Sequence, residues 1–216
     1  MTSPGVPMDV PLFSDHIRGA SEQMRMDTSL LEEMTAVSKA GNGFHSLLRV
    51  YRIAPGQVTV GRTYRGTQPS DWGVSDDRCV VRPTGGGAVL HGQDVCFSLL
   101  LPVRPRMALV DVYAFLHLFF GKFVWDLGFE ASLGGNPERP NDGRGTCFME
   151  PVCGDLMSGS KKILGGAMRV VRPGFLYQGS LLLEGSSPSE LQDRFVSWYS
   201  GANRLLFSDG SLRAGE

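Results

Sequence analysis

The sequence predicts an α+β fold in which a mixed, mostly antiparallel β-sheet packs against helices. Two observations carry this prediction. Short β-rich runs bounded by turn residues recur along the chain, for example at 95–102 and 161–171. Helical patterns are confined to three segments, and no internal repeat or long linker divides the chain. With 216 residues, 42% of them apolar, the chain is long enough for one large domain.

The three helical segments have different sequence signals. Segment 20–38 places Leu30, Leu31, Met34 and Val37 on one face. Segment 107–127 is long and apolar but carries two acids and a lysine, so a buried core helix is favoured over a membrane span. The third helix opens with a predicted capping box at 187–190 and Pro in its first position. Its predicted inner face is Leu191, Phe195 and Trp198.

The strands follow from β-rich runs and from the turns between them. Runs 46–53 and 57–62 flank Ala54-Pro55-Gly56, which predicts a hairpin. Further strands are expected at 78–83, 87–91, 95–102 and 129–133, and a pair at 161–171 and 175–183. A flexible N-terminal arm is expected at 1–15, a single domain at 16–207 and a polar tail at 208–216.

Composition excludes several classes of function. The net charge is −1, from 21 basic and 22 acidic residues, which gives no electrostatic case for nucleic acid or an anionic membrane. The N-terminal residues lack the basic and apolar regions of a secretory signal. The four cysteines show no metal-binding spacing, so we expect no metal and reduced thiols in a cytoplasmic protein.

The glycine triplet in RPTGGGAVLH (82–91) is the first candidate for ligand binding. It lacks both the Gly-Lys-Ser/Thr ending of a Walker A loop and the GxGxxG spacing of a dinucleotide site. The next residues favour a strand, so no helix N-terminus is offered to a phosphate. The triplet is therefore either a tight turn or a backbone wall against an elongated ligand, with Arg82 and His91 on its two sides.

Two further residues bring reactive groups. Lys162 leads into a second run of small residues, where its charge can face an oxygen as negative charge develops. Cys147 follows the Gly-, Pro- and Asn-rich segment 134–145, and a thiolate is a natural acyl acceptor. On spacing alone both also fit structural roles, as a strand-end lysine and a small core residue. The other cysteines are interpreted as structural: Cys79, Cys96 and Cys153.

Together, RPTGGGAVLH, KILGGAMR and FLYQGSLLL resemble the lipoate–protein ligase and octanoyltransferase superfamily, which shares its catalytic fold with biotin protein ligases. The resemblance covers most of the chain. It runs from Met26-Asp27-x-x-x-Leu31 through Leu48-Arg49-Val50-Tyr51 and Val60-Gly61-Arg62 to Gly179-Ser180. It implies that 16–207 is one catalytic domain of this type.

The resemblance also implies site residues. One group would line the slot for a lipoyl or octanoyl group: Arg82, Thr84, Gly85, Gly86, Gly87, Ala88, Val89 and His91. A facing group would complete it: Gly165, Gly166, Ala167, Gln178 and Gly179. Lys162 matches the lysine that contacts the acyl carbonyl. The family often has Ser at the position of Gly166 and His at that of Gln178, so head-group recognition differs here.

The position of Cys147 is similar to that of the nucleophile in cysteine-dependent octanoyltransferases. There a Cys-Phe pair precedes the Lys-Ile-x-Gly motif, as Cys147-Phe148 precedes Lys162 here. This resemblance implies octanoyl transfer from acyl carrier protein, without a cofactor, through a Cys147 thioester. The acceptor would be a lysine of a lipoyl domain of a 2-oxoacid dehydrogenase or of a glycine-cleavage H protein. From its composition, rich in Gly, Pro and Asn, segment 134–145 is expected to close over the acyl chain.

Two alternatives stay open at this point. An ATP-dependent lipoate–protein ligase would use ATP and Mg, with a separate accessory domain, because the chain ends about 37 residues after Gly179. A non-catalytic acyl- or biotin-binding module is the other alternative. No residue next to Cys147 in the sequence is an obvious base.

Overall fold

A computed structural model describes residues 8–43, 45–66, 73–103, 108–134, 148–149, 151–201, 204–208 and 211–214. Within these residues three helices pack on three sheets. The helices are α1 (Ala20–Lys39), α2 (Leu109–Asp126) and α3 (Pro188–Ser200). The strands are β1 (Met8–Asp9), β2 (Leu12–Ser14), β3 (Leu47–Tyr51), β4 (Val58–Gly61), β5 (Cys79–Arg82), β6 (Val89–Leu90), β7 (Val95–Pro102), β8 (Ser132–Gly134), β9 (Asp155–Ser158), β10 (Lys161–Val170), β11 (Gly174–Leu181), β12 (Leu205–Ser208) and β13 (Ser211–Ala214).

The main sheet has seven strands in the order β2-β3-β7-β11-β10-β9-β8. All neighbours are antiparallel except β2 and β3. Every residue of β7 and β11 is buried, because helices cover both faces of the sheet there. The predicted α+β class, with a mixed and mostly antiparallel sheet, is confirmed.

The larger core lies between the main sheet and helices α2 and α3. Phe97 of β7 packs against Phe120 of α2 and Phe195 of α3, with ring centroids 4.4 and 4.7 Å apart. All three rings are fully buried, and burying a side chain of this size contributes about 1.5–3 kcal/mol. Segment 107–127 thus forms a core helix as predicted. None of the helices in the described part of the chain has the length and apolar character that a bilayer crossing requires.

Helix α1 covers the opposite face of the main sheet. Its C-terminal half packs Leu31 against Leu100 and Leu176. Its N-terminal half buries polar side chains instead, among them Gln23 and Asp27, both fully excluded from solvent. The helix itself was predicted at nearly its observed bounds, but its buried polar surface was not predicted.

A second, three-stranded sheet in the order β5-β4-β6 holds the glycine-rich segment. The predicted hairpin of 46–53 with 57–62 is wrong, because β3 joins the main sheet while β4 pairs with β5 and β6. The strands themselves were correctly placed. Strand β3, whose last four residues are buried, pairs with the apolar β7, which offers a longer hydrophobic partner than β4 does.

The chain termini also differ from the prediction. Residues 8–14, within the predicted arm, form β1 and β2, which pair with β12 and β3, and Val10 between them is buried. Part of the predicted polar tail forms β13, paired with β12. Helix α3 begins at Pro188 as predicted, but Ser187 makes no side-chain capping hydrogen bond. Strand β9 was not predicted.

Candidate active site

The two glycine-rich segments meet in space. Gly86 has φ of +88°, and a Cβ placed on it would lie 3.8 Å from the Cβ of Ala167 in β10. Gly61 makes this approach possible, since a Cβ there would lie only 2.2 Å from the carbonyl oxygen of Gly86. We call residues 84–87 the glycine loop, and the region between it and Ala167 the slot. The resemblance implied a slot between these two segments, and its role in binding an acyl group stays a prediction.

Arg82 fixes the glycine loop from inside. Its Nε and Nη2 donate to the carbonyl oxygen of Gly85 at 3.1 and 2.6 Å, and Nη1 donates to the carbonyl oxygen of Thr59 at 3.2 Å. A guanidinium offers this kind of rigid fork to fixed acceptors. The described contacts of Arg82 are thus with protein backbone, and the side chain ties the loop to β4.

A chain of buried hydrogen bonds connects the glycine loop to α1. Thr84 Oγ1 donates to Gln178 Oε1 at 2.7 Å, and Gln178 Nε2 donates to Asp27 Oδ2 at 2.6 Å. Thr84 and Asp27 are fully buried. The hydroxyl of Thr84 is therefore engaged with Gln178, which stands where the family commonly has His.

Asp27 is the centre of a larger buried polar network. Its carboxylate pairs with Arg49, and it accepts hydrogen bonds from Tyr51 (3.0 Å) and Ser98. Arg49 also contacts Asp15 Oδ2 at 3.2 Å and Gln23 Oε1 at 2.6 Å. Buried charges of this kind are tolerated only when they are paired and hydrogen-bonded. The network holds α1 on the sheet beside the slot.

His91 lies in a separate buried cluster. Its Nε2 is 2.8 Å from Thr59 Oγ1 and its Nδ1 is 2.8 Å from Asp94 Oδ2. Asp94 also accepts from Ser180 Oγ at 2.5 Å, and these contacts outweigh burial and lower the pKa of Asp94 to about 2. The described contacts of His91 orient Thr59, whose carbonyl holds Arg82. Its predicted contact with substrate stays a prediction.

Cys96 completes that cluster as a thiol. His91, Asp94 and Cys96 bring three possible ligand atoms within 4.8 Å of one another. Burial and the Asp94 charge raise the pKa of Cys96 well above its ordinary value, which disfavours the thiolate that a metal would bind. The geometry of the three residues is that of a hydrogen-bonded core cluster. The structural interpretation of Cys96 fits this environment.

Lys162 is buried and ion-paired. Its Nζ lies 2.7 Å from Asp155 Oδ2, with side-chain exposures of 3% and 1%. Asp155 also accepts the backbone N–H of Val152 at 2.7 Å and the hydroxyl of Tyr113 at 3.2 Å. The same hydroxyl lies 3.2 Å from the carbonyl oxygen of Gly166. Lys162 thus sits at the start of β10, the strand that forms one wall of the slot.

A histidine lies close to the Lys162–Asp155 ion pair. His117 of α2 is fully buried, its ring 4.1 Å from that of Tyr113 and its Nε2 3.1 Å from Tyr177 Oη. Burial and the charge of Lys162 lower the pKa of His117 to about 3, against an opposing contribution from the Gly154 backbone. His117 is therefore uncharged near neutral pH.

Several predicted slot residues have packing roles in the structure. A Cβ on Gly166 or Gly179 would lie 2.4 or 2.6 Å from atoms of the Tyr177 side chain, so these glycines make room for that ring. Ala88 packs with Val58 and Val60. Three further residues are described without a contact that identifies a ligand: Gly85 and Gly87 in the glycine loop, and Gly165, opposite Ser180 in the register of β10 and β11. Val89 is buried in β6.

The predicted nucleophile, Cys147, lies outside the described residues, as does all of the predicted lid (134–145) except Gly134. Phe148, next to Cys147, is described and half-buried. Cys153 is exposed, and Cys79 is half-buried. The roles of Cys147 and of the lid thus stay predictions.

Sequence reasoning missed Asp155, Tyr113, Asp27 and Asp94. Asp155 was accessible in principle, because the Ser158-Gly159 turn between two short β-rich runs pairs Met157 with Lys162. Residues two apart on a strand share a face, so Asp155 lies on the same face as Met157, diagonally across from Lys162, and a shift in register between Lys162 and Leu164 follows at this point. Asp27 lay within a matched motif, but no local signal shows that a helical acid will meet an arginine 22 residues later.

The chain matches the model of the lipoyl protein ligase A/B catalytic domain over residues 20–204. Octanoyltransferase LipM of Kyrpidia tusciae is 25% identical over 166 residues, which cover 71% of this chain and 60% of that protein. LipM of Brevibacillus brevis is 31% identical over 149 residues, covering 63% of this chain and 54% of that protein. The chain therefore spans less than two thirds of these relatives' length.

Solved structures show the same fold. A lipoate-protein ligase A bound with ATP superposes with a TM-score of 0.66 and 19% identity, over 89% of this chain and 85% of that one. A protein from T. acidophilum with bound lipoic acid superposes with a TM-score of 0.68 and 19% identity, over 89% and 84%. With the match over residues 20–204, these likenesses show that the chain belongs to the lipoyl protein ligase A/B catalytic domain family, and its curated relatives lie in the octanoyltransferase branch.

Proposed function

We propose that this protein transfers an octanoyl group to a lysine of a lipoyl domain or H protein, through a thioester on Cys147. The observation that carries the proposal is Lys162, a buried cation held at the start of the slot-forming strand β10. The four LipM octanoyltransferases that match the chain support the same reaction. In this proposal the donor is acyl carrier protein and the reaction takes place in the cytoplasm.

In this proposal the acyl chain lies along the slot, with its polar end towards Lys162. The walls of the slot are the glycine loop and β10, which approach each other closely at Gly86 and Ala167. Charged groups near it are occupied by protein partners, Arg82 by the loop backbone and Asp27 by Arg49. A thin channel with few polar groups at one end is what an eight-carbon chain requires. Lys162 supplies the charge at that end.

The first half-reaction would acylate Cys147. Its thiolate attacks the carbonyl carbon of the octanoyl thioester, and the carbonyl oxygen becomes an oxyanion facing the Lys162 ammonium. The bond to the carrier sulfur then breaks, and the leaving carrier thiolate takes up the proton that Cys147 gave up. One well-placed oxyanion donor typically contributes about 2.7–4 kcal/mol to lowering such a barrier.

The second half-reaction would release the acyl group as an amide. The neutral amine of the acceptor lysine attacks the Cys147 thioester carbonyl, and the same ammonium stabilises the second oxyanion. The carbon–sulfur bond breaks, and the amine proton ends on the cysteine sulfur, which regenerates the enzyme. Neither half-reaction consumes ATP. No cofactor is required beyond the octanoyl group itself.

An ATP-dependent lipoate–protein ligase is the second candidate, because a ligase structure bound with ATP has the same fold. That reaction would form a lipoyl-adenylate with ATP and Mg and would not need Cys147. The two candidates differ in one requirement, because the transferase reaction proceeds without ATP and the ligase reaction does not.

The test is ATP-free transfer from octanoyl carrier protein to a purified lipoyl domain, followed by mass. We expect wild-type protein to modify the domain and Lys162→Met to lower kcat by about 10²–10³-fold. Lys161→Met is the matched control, since Lys161 is exposed and paired with Glu184 on the surface. Transfer that appears only with lipoate and Mg-ATP would replace this proposal with the ligase reaction.

A further inference from the structure

Two adjacent lysines of β10 form ion pairs in opposite environments. Lys162 pairs with Asp155 at 2.7 Å, and both side chains are almost fully buried. Lys161 pairs with Glu184 at 2.6 Å, and these side chains are 67% and 73% exposed. An exposed pair contributes little to holding either side chain in place, whereas a buried pair fixes both partners. Only the Lys162 pair can therefore impose a geometry.

Asp155 is itself held by groups from separate parts of the chain. Its Oδ2 accepts the N–H of Val152, and its Oδ1 accepts the hydroxyl of Tyr113 from α2. Tyr113 in turn lies within hydrogen-bond distance of Gly166 in β10. The carboxylate position is thus defined by the turn before β9 and by α2, in addition to Lys162.

This arrangement matters because a lysine side chain is flexible. Its ammonium sits on a four-carbon stem with three rotatable donors, so it has no preferred direction of its own. Engaging one N–H with a rigid carboxylate restricts where the other N–H bonds can point. An oxyanion donor works only if it is already aimed when charge develops.

We infer that Asp155 is the positioning residue of the acyl transfer proposed above, on which this inference rests. It aims the Lys162 ammonium and also binds the backbone of Val152, five residues after Cys147 in the sequence. Asp155 thereby contacts both the proposed oxyanion donor, Lys162, and the backbone at Val152. Asp155 is fully buried, so in this inference it acts through Lys162.

The first test is a double-mutant cycle on ATP-free transfer. Asp155→Asn keeps the size of the side chain and an oxygen for Val152, but removes the charge that pairs with Lys162. We expect kcat to fall about tenfold or more, which is within the range of interaction energies of residues in contact. KM for octanoyl carrier protein should stay within about twofold of the wild-type value. In the Lys162→Met background the same substitution should have no further effect on kcat. Glu184→Gln, the matched surface control, should leave kcat unchanged.

The second test does not depend on activity. Brief amine acetylation, read by peptide mass spectrometry well below the melting temperature, compares Lys162 with Lys161 in the same molecule. We expect Lys162 to react several-fold more slowly in wild type, and the ratio of Lys162 to Lys161 labelling to rise in Asp155→Asn. Glu184→Gln should not raise the labelling of Lys162.

The outcomes separate this inference from the proposed function. Wild-type protein that transfers no octanoyl group without ATP contradicts the proposed function, and the labelling ratio then decides the positioning role alone. An active wild type whose Asp155→Asn variant keeps full kcat overturns the inference. The inference is also overturned if Asp155→Asn lowers kcat equally in the wild-type and the Lys162→Met backgrounds. An unchanged ratio of Lys162 to Lys161 labelling in Asp155→Asn overturns it as well.

Discussion

Asp27→Asn tests the buried polar network beneath the slot. The Asp27 carboxylate pairs with Arg49, and both side chains are fully buried. The substitution keeps the size of the side chain, so no cavity forms, but it removes the negative charge. Arg49 then keeps Asp15 as its one charged partner among the contacts described, at 3.2 Å.

The magnitude follows from that loss. Removing one partner of a buried pair typically costs about 3–5 kcal/mol, because a buried charge is left uncompensated. Since Asp15 still faces Arg49, we expect the lower end, a fall of about 3 kcal/mol in the free energy of unfolding. For a chain of this size each kcal/mol lowers the melting temperature by about 2–4 °C, so the shift should be about 6–12 °C.

The assay is urea and thermal unfolding at pH 7 of the wild type and each variant. Asp126→Asn is the control, because Asp126 pairs with Lys122 at the surface, and should cost about 1 kcal/mol or less. Replacing both partners, as Asp27→Leu with Arg49→Met, should cost less than the two single effects added together. An Asp27→Asn loss no larger than that of Asp126→Asn would refute the reasoning.

Two other predictions concern the glycine loop and α2. Gly61→Ala would place a Cβ 2.2 Å from the Gly86 carbonyl oxygen, so the glycine loop must move and transfer activity should fall. The control is Gly19→Ala, whose Cβ would meet only the Gln57 side chain at 3.6 Å and which should keep much more activity. Equal activities of the two variants would contradict this prediction. His117 should make the fold acid-sensitive. Its pKa falls from 6.5 to about 3 on folding, so the unfolded chain binds the proton first, and stability present above pH 6.5 is lost as the pH falls towards 3. In unfolding at pH 7 and pH 4.5, His117→Gln should lose about 2 kcal/mol less than wild type on acidification, and equal losses would argue against a neutral buried His117.

The sequence predicted most elements because their signals are local. Helix periodicity in 20–38, the apolar run in 107–127 and the β-rich run in 161–171 are each local features of the sequence, and the observed elements match them. Strand pairing is not local. The choice of β7 over β4 as a partner for β3 depends on segments far apart in the chain, and so the hairpin prediction was wrong.

The candidate site shows the same division. The meeting of the glycine loop with Ala167 was implied by the resemblance, since both motifs are contiguous in sequence. The partners Asp27 and Asp94 were not predicted, because they act through contacts that only the fold creates. Gly166 and Gly179 were predicted as slot residues, and the structure adds that both make room for the Tyr177 ring.

The most direct test of the central claim is the intact mass of the protein after mixing with octanoyl carrier protein in the absence of ATP. The account predicts a gain of one octanoyl group, absent in Cys147→Ala and retained in Cys153→Ala, whose cysteine is exposed and serves as the control. Hydroxylamine should remove the adduct, because thioesters are labile to it. No adduct on wild type, or an adduct that persists in Cys147→Ala, would contradict a Cys147 thioester.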